Sequence, residues 1–297
     1  MYKRVRLLLL FAVVWFGVSL PQLASSTPSA VAQPGRIQTI QFASKLVGKT
    51  LPYSVLLPLN YNDENAKTKS YPVLYLLHGL AGHYTNWLER TQLIEYTAGY
   101  GFIIVMPEGN DGWYTDSATV QNDKYESYII QELIPDVEKR FRVSALRSGR
   151  AIAGLSMGGY GALKFGIKYP QTFALAGSLS GALGAASWTE TDLRGYEAIW
   201  RSLQPVFGAE DSSTRATNDL AKLVRELPSE RISALPFLYI DCGTEDPLFK
   251  SNLDFAELLR SRKIPHEYRE LPGRHAWKYW DAQVLEVLRI ANTRVTK

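Results

Sequence analysis

The run RAIAGLSMGGYG at residues 150–161 constrains this chain more than any other stretch. Ala151, Ile152 and Ala153 are small or apolar, as a buried parallel strand requires. Tyr160, Leu163, Lys164, Phe165 and Ile167 continue as helix. Between them lies Gly154-Leu155-Ser156-Met157-Gly158, a G-x-S-x-G pattern. Such a pattern between strand and helix presents a nucleophilic serine on a sharp turn. The turn strains the serine backbone. Strand and helix then come so close that a Cβ two residues either side of Ser156 would clash. Ser156 also falls at a helix N-terminus, where free N–H groups and the helix dipole favour developing negative charge. The pentapeptide alone would arise by chance roughly 0.1 times in a chain this long, so its place between strand and helix carries much of its weight.

The rest of the chain supplies a scaffold for that turn. Residues 36–58 read as two antiparallel strands, and 59–70 as a polar surface loop. A buried strand over 71–77 leads to His78-Gly79-Leu80, and a helix is predicted from about 87 to 96. Another buried strand covers 102–106. A helix over 125–141 follows, with Pro135 expected to kink it. After the serine helix come a strand at 173–180, a strand at 236–241, a helix at 249–262, a strand at 266–271 and a last helix from about 279. Strands alternating with helices argue for an α/β fold: a mostly parallel, doubly wound sheet with antiparallel strands at the start. Residues 182–235 break the rhythm. They read as a cap-like insertion over the sheet or as an excursion covering a sheet edge.

A serine hydroxyl needs a base to remove its proton. In sheets of this kind the order along the chain is serine, acid, histidine. Of the four histidines only His266 and His275 follow Ser156. His266 opens a strand, whereas His275 lies in the loop after the last strand, where a base can hang over the sheet. The acid belongs after the preceding strand, where Asp241, Glu245 and Asp246 stand. Asp241 reads as a cap on the turn. Asp246 lies further into the loop and is preferred, with Glu245 second and helix capping the alternative role. Two N–H donors for an oxyanion are expected from Met157 and from Leu80 in the loop at 78–82. Trp113, Tyr114 and Trp277, in loops on the same side of the sheet, are expected to wall an apolar or aromatic pocket. Nothing in the motifs implies a metal or cofactor.

The N-terminus reads as an address label. Lys3, Arg4 and Arg6 precede 14 uncharged residues over 7–20 and then Ala30-Val31-Ala32. This is the pattern of a secretory signal peptide over 1–32, with a start at Gln33 and cleavage near 24–26 as the rival. The apolar run is short against the ~20 residues of a spanning helix, so stable membrane insertion after cleavage is not expected. Removing those three basic residues lowers the net charge from +4 to +1, and no nucleic-acid motif is present. The catalytic domain is expected over 33–297. Cys242 is the only cysteine and sits in a strand end, so it reads as a packed, inert thiol.

Taken together, LLHGLAG at 76–82, PEGNDGWYTDS at 107–117, GLSMGGYGAL at 154–163, DCGTEDP at 241–247 and PGRHAWKYW at 272–280 resemble the esterase D-like branch of the α/β hydrolases. That branch includes tributyrin-type, feruloyl and acetyl-xylan esterases, S-formylglutathione hydrolases and mycolyltransferases. The family's acid lies three residues after the glycine of its D-x-G turn, which is Asp246 here. Its histidine is followed two residues later by tryptophan, as His275 is by Trp277. Its oxyanion donors map onto Leu80 and Met157. The resemblance implies a serine carboxylic-ester hydrolase working through an acyl-enzyme, on a small-molecule or polysaccharide-linked ester, and the leader pattern adds the expectation of a secreted or periplasmic location. Residues 182–235 match the family poorly. An acyltransferase and a non-catalytic binding module on the same scaffold are the competing readings.

Overall fold

The computed structural model describes residues 36–295, so the leader expected over 1–32 lies outside the described residues. Among the described residues, eight strands form one sheet: β1 (Ile37–Ala43), β2 (Thr50–Leu56), β3 (Val73–Leu77), β4 (Ile103–Pro107), β5 (Arg150–Leu155), β6 (Leu175–Leu179), β7 (Phe237–Gly243) and β8 (His266–Leu271). Their order across the sheet is β1-β2-β4-β3-β5-β6-β7-β8. β1 pairs with β2, and β2 with β4, antiparallel. All other pairs are parallel. This is the expected α/β architecture.

β3, β4 and β5 are buried along their whole length, which explains their continuous apolar runs. Among the described residues there are ten α-helices. They are α1 (Asn86–Arg90), α2 (Leu93–Tyr96), α3 (Tyr125–Ser127), α4 (Ile134–Arg140), α5 (Met157–Lys168), α6 (Glu197–Phe207), α7 (Ser213–Asn218), α8 (Leu220–Arg225), α9 (Phe249–Ser261) and α10 (Trp277–Arg294). Side chains of α5, α8 and α9 join one core with Tyr75, Ile152 and Ile240 of the sheet. Trp87 of α1, Leu93 of α2 and the inner side of α10 join a second core with Leu74, Ala153 and Leu175 on the other face.

Three local expectations change. The helix over 87–96 is two short ones, because Thr91 is extended (φ −137°, ψ 168°) and its hydroxyl accepts from the Leu93 N–H. The helix over 125–141 changes type along its length: a π-helical segment at Tyr128–Leu133 leads without a break into α4, and Pro135 lies in the first turn of α4. The last helix begins at Trp277, two residues earlier than expected. Residues 182–235 carry α6, α7 and α8, and α8 packs against α5 and α9.

Candidate active site

Ser156 sits between β5 and α5 with φ 52° and ψ −116°, a conformation that a non-glycine residue adopts only when its surroundings impose it. The imposition comes from close packing. A Cβ on Gly154 would lie 2.6 Å from the Gly158 carbonyl carbon, and one on Gly158 would lie 2.6 Å from the Leu77 and His78 carbonyl oxygens. No side chain fits at either position without moving backbone.

His275 lies in the loop between β8 and α10. Its Nε2 is 3.0 Å from Ser156 Oγ, and its Nδ1 is 2.8 Å from Asp246 Oδ2. Asp246 is buried, and its other oxygen accepts the Leu248 N–H at 2.8 Å. It therefore braces the start of the following helix as well as the imidazole. The Trp280 ring stands edge-on to His275, with centroids 4.9 Å apart. The loops carrying the two residues touch directly: a Cβ on Gly243 would fall 2.3 Å from the Gly273 carbonyl oxygen. Glu245 points to the surface and pairs with Arg274 at 3.2 Å, away from His275. His266 is in β8, its Nδ1 2.9 Å from the Ile264 carbonyl.

Asp241 does not cap the turn. It is fully buried and accepts a 3.0 Å hydrogen bond from the Tyr279 hydroxyl. Burial pushes its carboxyl up to about 7. Cys242 is buried beside it, and burial pushes that thiol far up, as the reading of an inert thiol requires.

Leu80 and Met157 lie on either side of the contact between the 78–82 loop and the start of α5. Leu80 lines the cavity over the serine, whereas Met157 is wholly buried and is not part of that lining. His78 braces the opposing loop. Its Nε2 stands 2.9 Å from the Gly109 N and its Nδ1 2.7 Å from the Gly79 carbonyl oxygen. The Glu108 carboxylate lies beside the same ring, and although burial works to raise it, contact with His78 and the Asn110 and Tyr84 N–H groups hold it below its ordinary value.

A cavity of about 790 Å³ opens over Ser156 and His275. Leu80, Trp113 and Trp277 line it, as do Trp188, Leu193 and Ile199 from the 182–235 segment. Tyr114 is a correction: it is wholly buried behind α5, packs on Gly161, and donates its hydroxyl to the His78 carbonyl at 3.1 Å. Trp113 and Tyr114 are both left-handed (φ 48° and 49°), which sends one ring to the cavity and its neighbour into the core. Sequence reasoning missed what secures this loop. Lys164, fully buried in α5, donates to the Tyr114 carbonyl and the Thr115 hydroxyl, both at 2.6 Å, and to Glu126 at 2.8 Å. Burial raises Glu126, but Lys164 and Lys168 outweigh it and hold that carboxyl at about 2; burial lowers Lys164 to about 8. The available signal was Lys164 standing midway along 161–167, where every other residue is apolar or glycine.

The family model described as "Putative esterase" matches residues 44–290. The chain belongs to this esterase family. It is 30% identical over 254 residues to an acetyl esterase of Caldicellulosiruptor saccharolyticus, covering 84% of this chain and 95% of the relative. A solved ferulic acid esterase superposes with a TM-score of 0.73 at 29% identity, covering 88% of this chain and 98% of that one. A fluorophosphonate-binding serine hydrolase of Staphylococcus aureus superposes with a TM-score of 0.74 at 26% identity, covering 87% and 99%. A mycolyltransferase of Mycobacterium leprae is 25% identical over 309 residues, 92% of this chain and 90% of the relative. The esterase is thus a carboxylic-ester hydrolase of the serine type with the α/β-hydrolase fold, and mycolyltransferases are among its relatives.

Proposed function

We propose that Ser156, His275 and Asp246 act as nucleophile, base and orienting acid in ester hydrolysis by way of an acyl-enzyme. The observation that carries this reading is the single imidazole within hydrogen-bond reach of both a strained serine and a buried carboxylate. Ser156 Oγ attacks the acyl carbonyl carbon and passes its proton to His275 Nε2. Asp246 holds the ring in the tautomer that leaves Nε2 free, and stabilises the imidazolium that forms. The Leu80 and Met157 N–H groups take the oxyanion of the tetrahedral intermediate. Collapse expels the alcohol, protonated by His275. Water, deprotonated by the same imidazole, then releases the acid and restores Ser156.

Loss of Ser156 should remove several orders of magnitude of kcat on a p-nitrophenyl ester, leaving what oxyanion donors and binding supply. Near-normal turnover by Ser156→Ala would overturn the mechanism. The walls formed by Trp113, Trp188, Leu193 and Ile199 favour an apolar or aromatic acyl group, so a panel running from acetyl to long-chain and feruloyl esters would define it. Transfer to an added acceptor alcohol is the second reading, favoured by the mycolyltransferase relatives. It would show as a new ester among the products.

The proposal includes export from the cytoplasm, on the leader pattern of residues 1–32. Amino-terminal sequencing of exported protein should begin at Gln33. A start at Met1 would contradict cleavage.

A further inference from the structure

The cavity has two chemically different ends. At one, Trp188, Leu193 and Ile199 stand with Trp113, continuous with the core on the α5 and α9 face of the sheet. At the other stand Asn86 and Arg90 of α1 with Trp277 of α10, on the opposite face. The buried Trp87 ring packs edge-on against Trp277, centroids 5.5 Å apart, which fixes α1 beside the histidine loop.

The chemistry assigns a direction to this asymmetry. His275 must hand its proton to the departing oxygen, so the alcohol leaves on the side that His275, Trp277 and Trp280 form. The acyl group then extends to the other end, toward Trp113 and Trp188. The α1 end therefore faces the alcohol.

Asn86 and Arg90 are four residues apart on α1, which sets them on one helix face, and both line the cavity. Asn86 Oδ1 accepts the His83 N–H at 2.9 Å, which fixes the amide so that its NH₂ is the free end. Among the described residues the Arg90 guanidinium has no hydrogen-bond or ion-pair partner. The carboxylates that line the cavity come from other elements. Asp192 is held by the Thr189 N–H and hydroxyl, both at 2.9 Å, and Asp254 of α9 pairs with Lys250. A cation and an amide donor thus stand together on α1 with no acid from α1 in the lining, while Lys250, the lysine that lines the cavity, is engaged by Asp254.

We propose that Asn86 and Arg90 form an anion-binding subsite for the leaving alcohol, so that esters of alcohols bearing a carboxylate or a phosphate are preferred over neutral ones. This rests on the triad reading above, which sets the direction of departure.

The test uses aryl acetates that differ only in a meta substituent: a carboxylate, a phosphate, or the neutral methyl ester of the carboxylate. For each anionic ester, kcat/KM is divided by that of the neutral ester in wild type, Arg90→Gln, Arg90→Lys, Arg90→Glu and Asn86→Ala. The ratio should fall about fivefold in Arg90→Gln, as expected for a solvent-facing charge pair, and fall further in Arg90→Glu. It should be largely kept in Arg90→Lys, drop less in Asn86→Ala, and shrink in wild type as salt is raised. Whichever anion loses more identifies the preferred group. An unchanged ratio in both Arg90→Gln and Arg90→Glu would overturn the subsite, as would wild type turning over none of the esters. Ser156→Ala assayed on the neutral ester separates the readings: retained turnover there would defeat the triad whatever the ratios show.

Discussion

Lys164 Nζ stands 2.6 Å from the Tyr114 carbonyl oxygen, and this bond secures two consecutive residues in the left-handed region. Each such residue costs on the order of 1 kcal/mol, so the pair persists only because something holds it. The same lysine pairs with buried Glu126, which Lys168 also reaches at 2.6 Å. Lys164→Met leaves the carboxylate with only Lys168 and the Tyr169 hydroxyl, and frees the loop that carries Trp113. We expect a loss of about 3 kcal/mol in urea unfolding, and a smaller loss when Glu126→Gln accompanies it. A loss under about 1 kcal/mol would show that the cluster is not what holds the loop.

Gly243 governs how the acid and base loops meet. Its missing Cβ lets the Gly273 carbonyl approach, and these two loops carry Asp246 and His275. Gly243→Ala should push the loops apart and lower kcat about 100-fold, the usual effect of displacing a catalytic group by ~1 Å. Steady-state kinetics on an activated ester checks this. Unchanged kcat in a folded variant would mean that the Asp246–His275 contact does not depend on this approach.

Asp241 should make stability depend on pH. Its carboxyl ordinarily titrates near 3.8 and is raised to about 7 by burial in the folded protein. Between those values the folded state keeps a proton that the unfolded chain has released. The stabilisation is fully present below about 3.8 and is lost as pH rises through 7. Asp241→Asn mimics the protonated acid and can still accept from Tyr279. Its advantage over wild type should be small at acid pH and should widen through this window at up to about 1.4 kcal/mol per unit. Urea unfolding across the pH range reads the gap; a constant gap would contradict the assignment.

Much of this arrangement is legible in the sequence. The turn around Ser156 needs glycine where backbones meet, and that requirement survives in the pentapeptide. His275 and Asp246 are recoverable because strand order dictates which loops reach the serine. Other features depend on contacts between distant segments. Glu126 reads as an ordinary helix charge, and Lys164 as an unexplained lysine in an apolar run, until α5 crosses the segment beginning at Tyr125. Tyr114 reads as a wall beside Trp113, since positive φ at both positions is invisible without a glycine to mark it. Asp241 reads as a turn cap because the hydroxyl that meets it comes from Tyr279, 38 residues on.

Trp188 should set acyl-chain preference. It stands edge-on to Trp113, centroids 6.5 Å apart, at the end of the cavity assigned to the acyl group. Trp188→Ala should improve kcat/KM for long acyl chains relative to acetyl by about tenfold, the scale of a few methylenes gained in an apolar pocket. A chain-length series with one alcohol checks it. No change in the profile would place the acyl group elsewhere.

The central claim is that Ser156 is a nucleophile activated by His275. The direct measurement is peptide mapping after reaction with a fluorophosphonate, in wild type, Ser156→Ala and His275→Ala. We predict one adduct, on Ser156, absent from Ser156→Ala and formed far more slowly in His275→Ala. An adduct on another residue, or equal labelling rates with and without His275, would contradict the account.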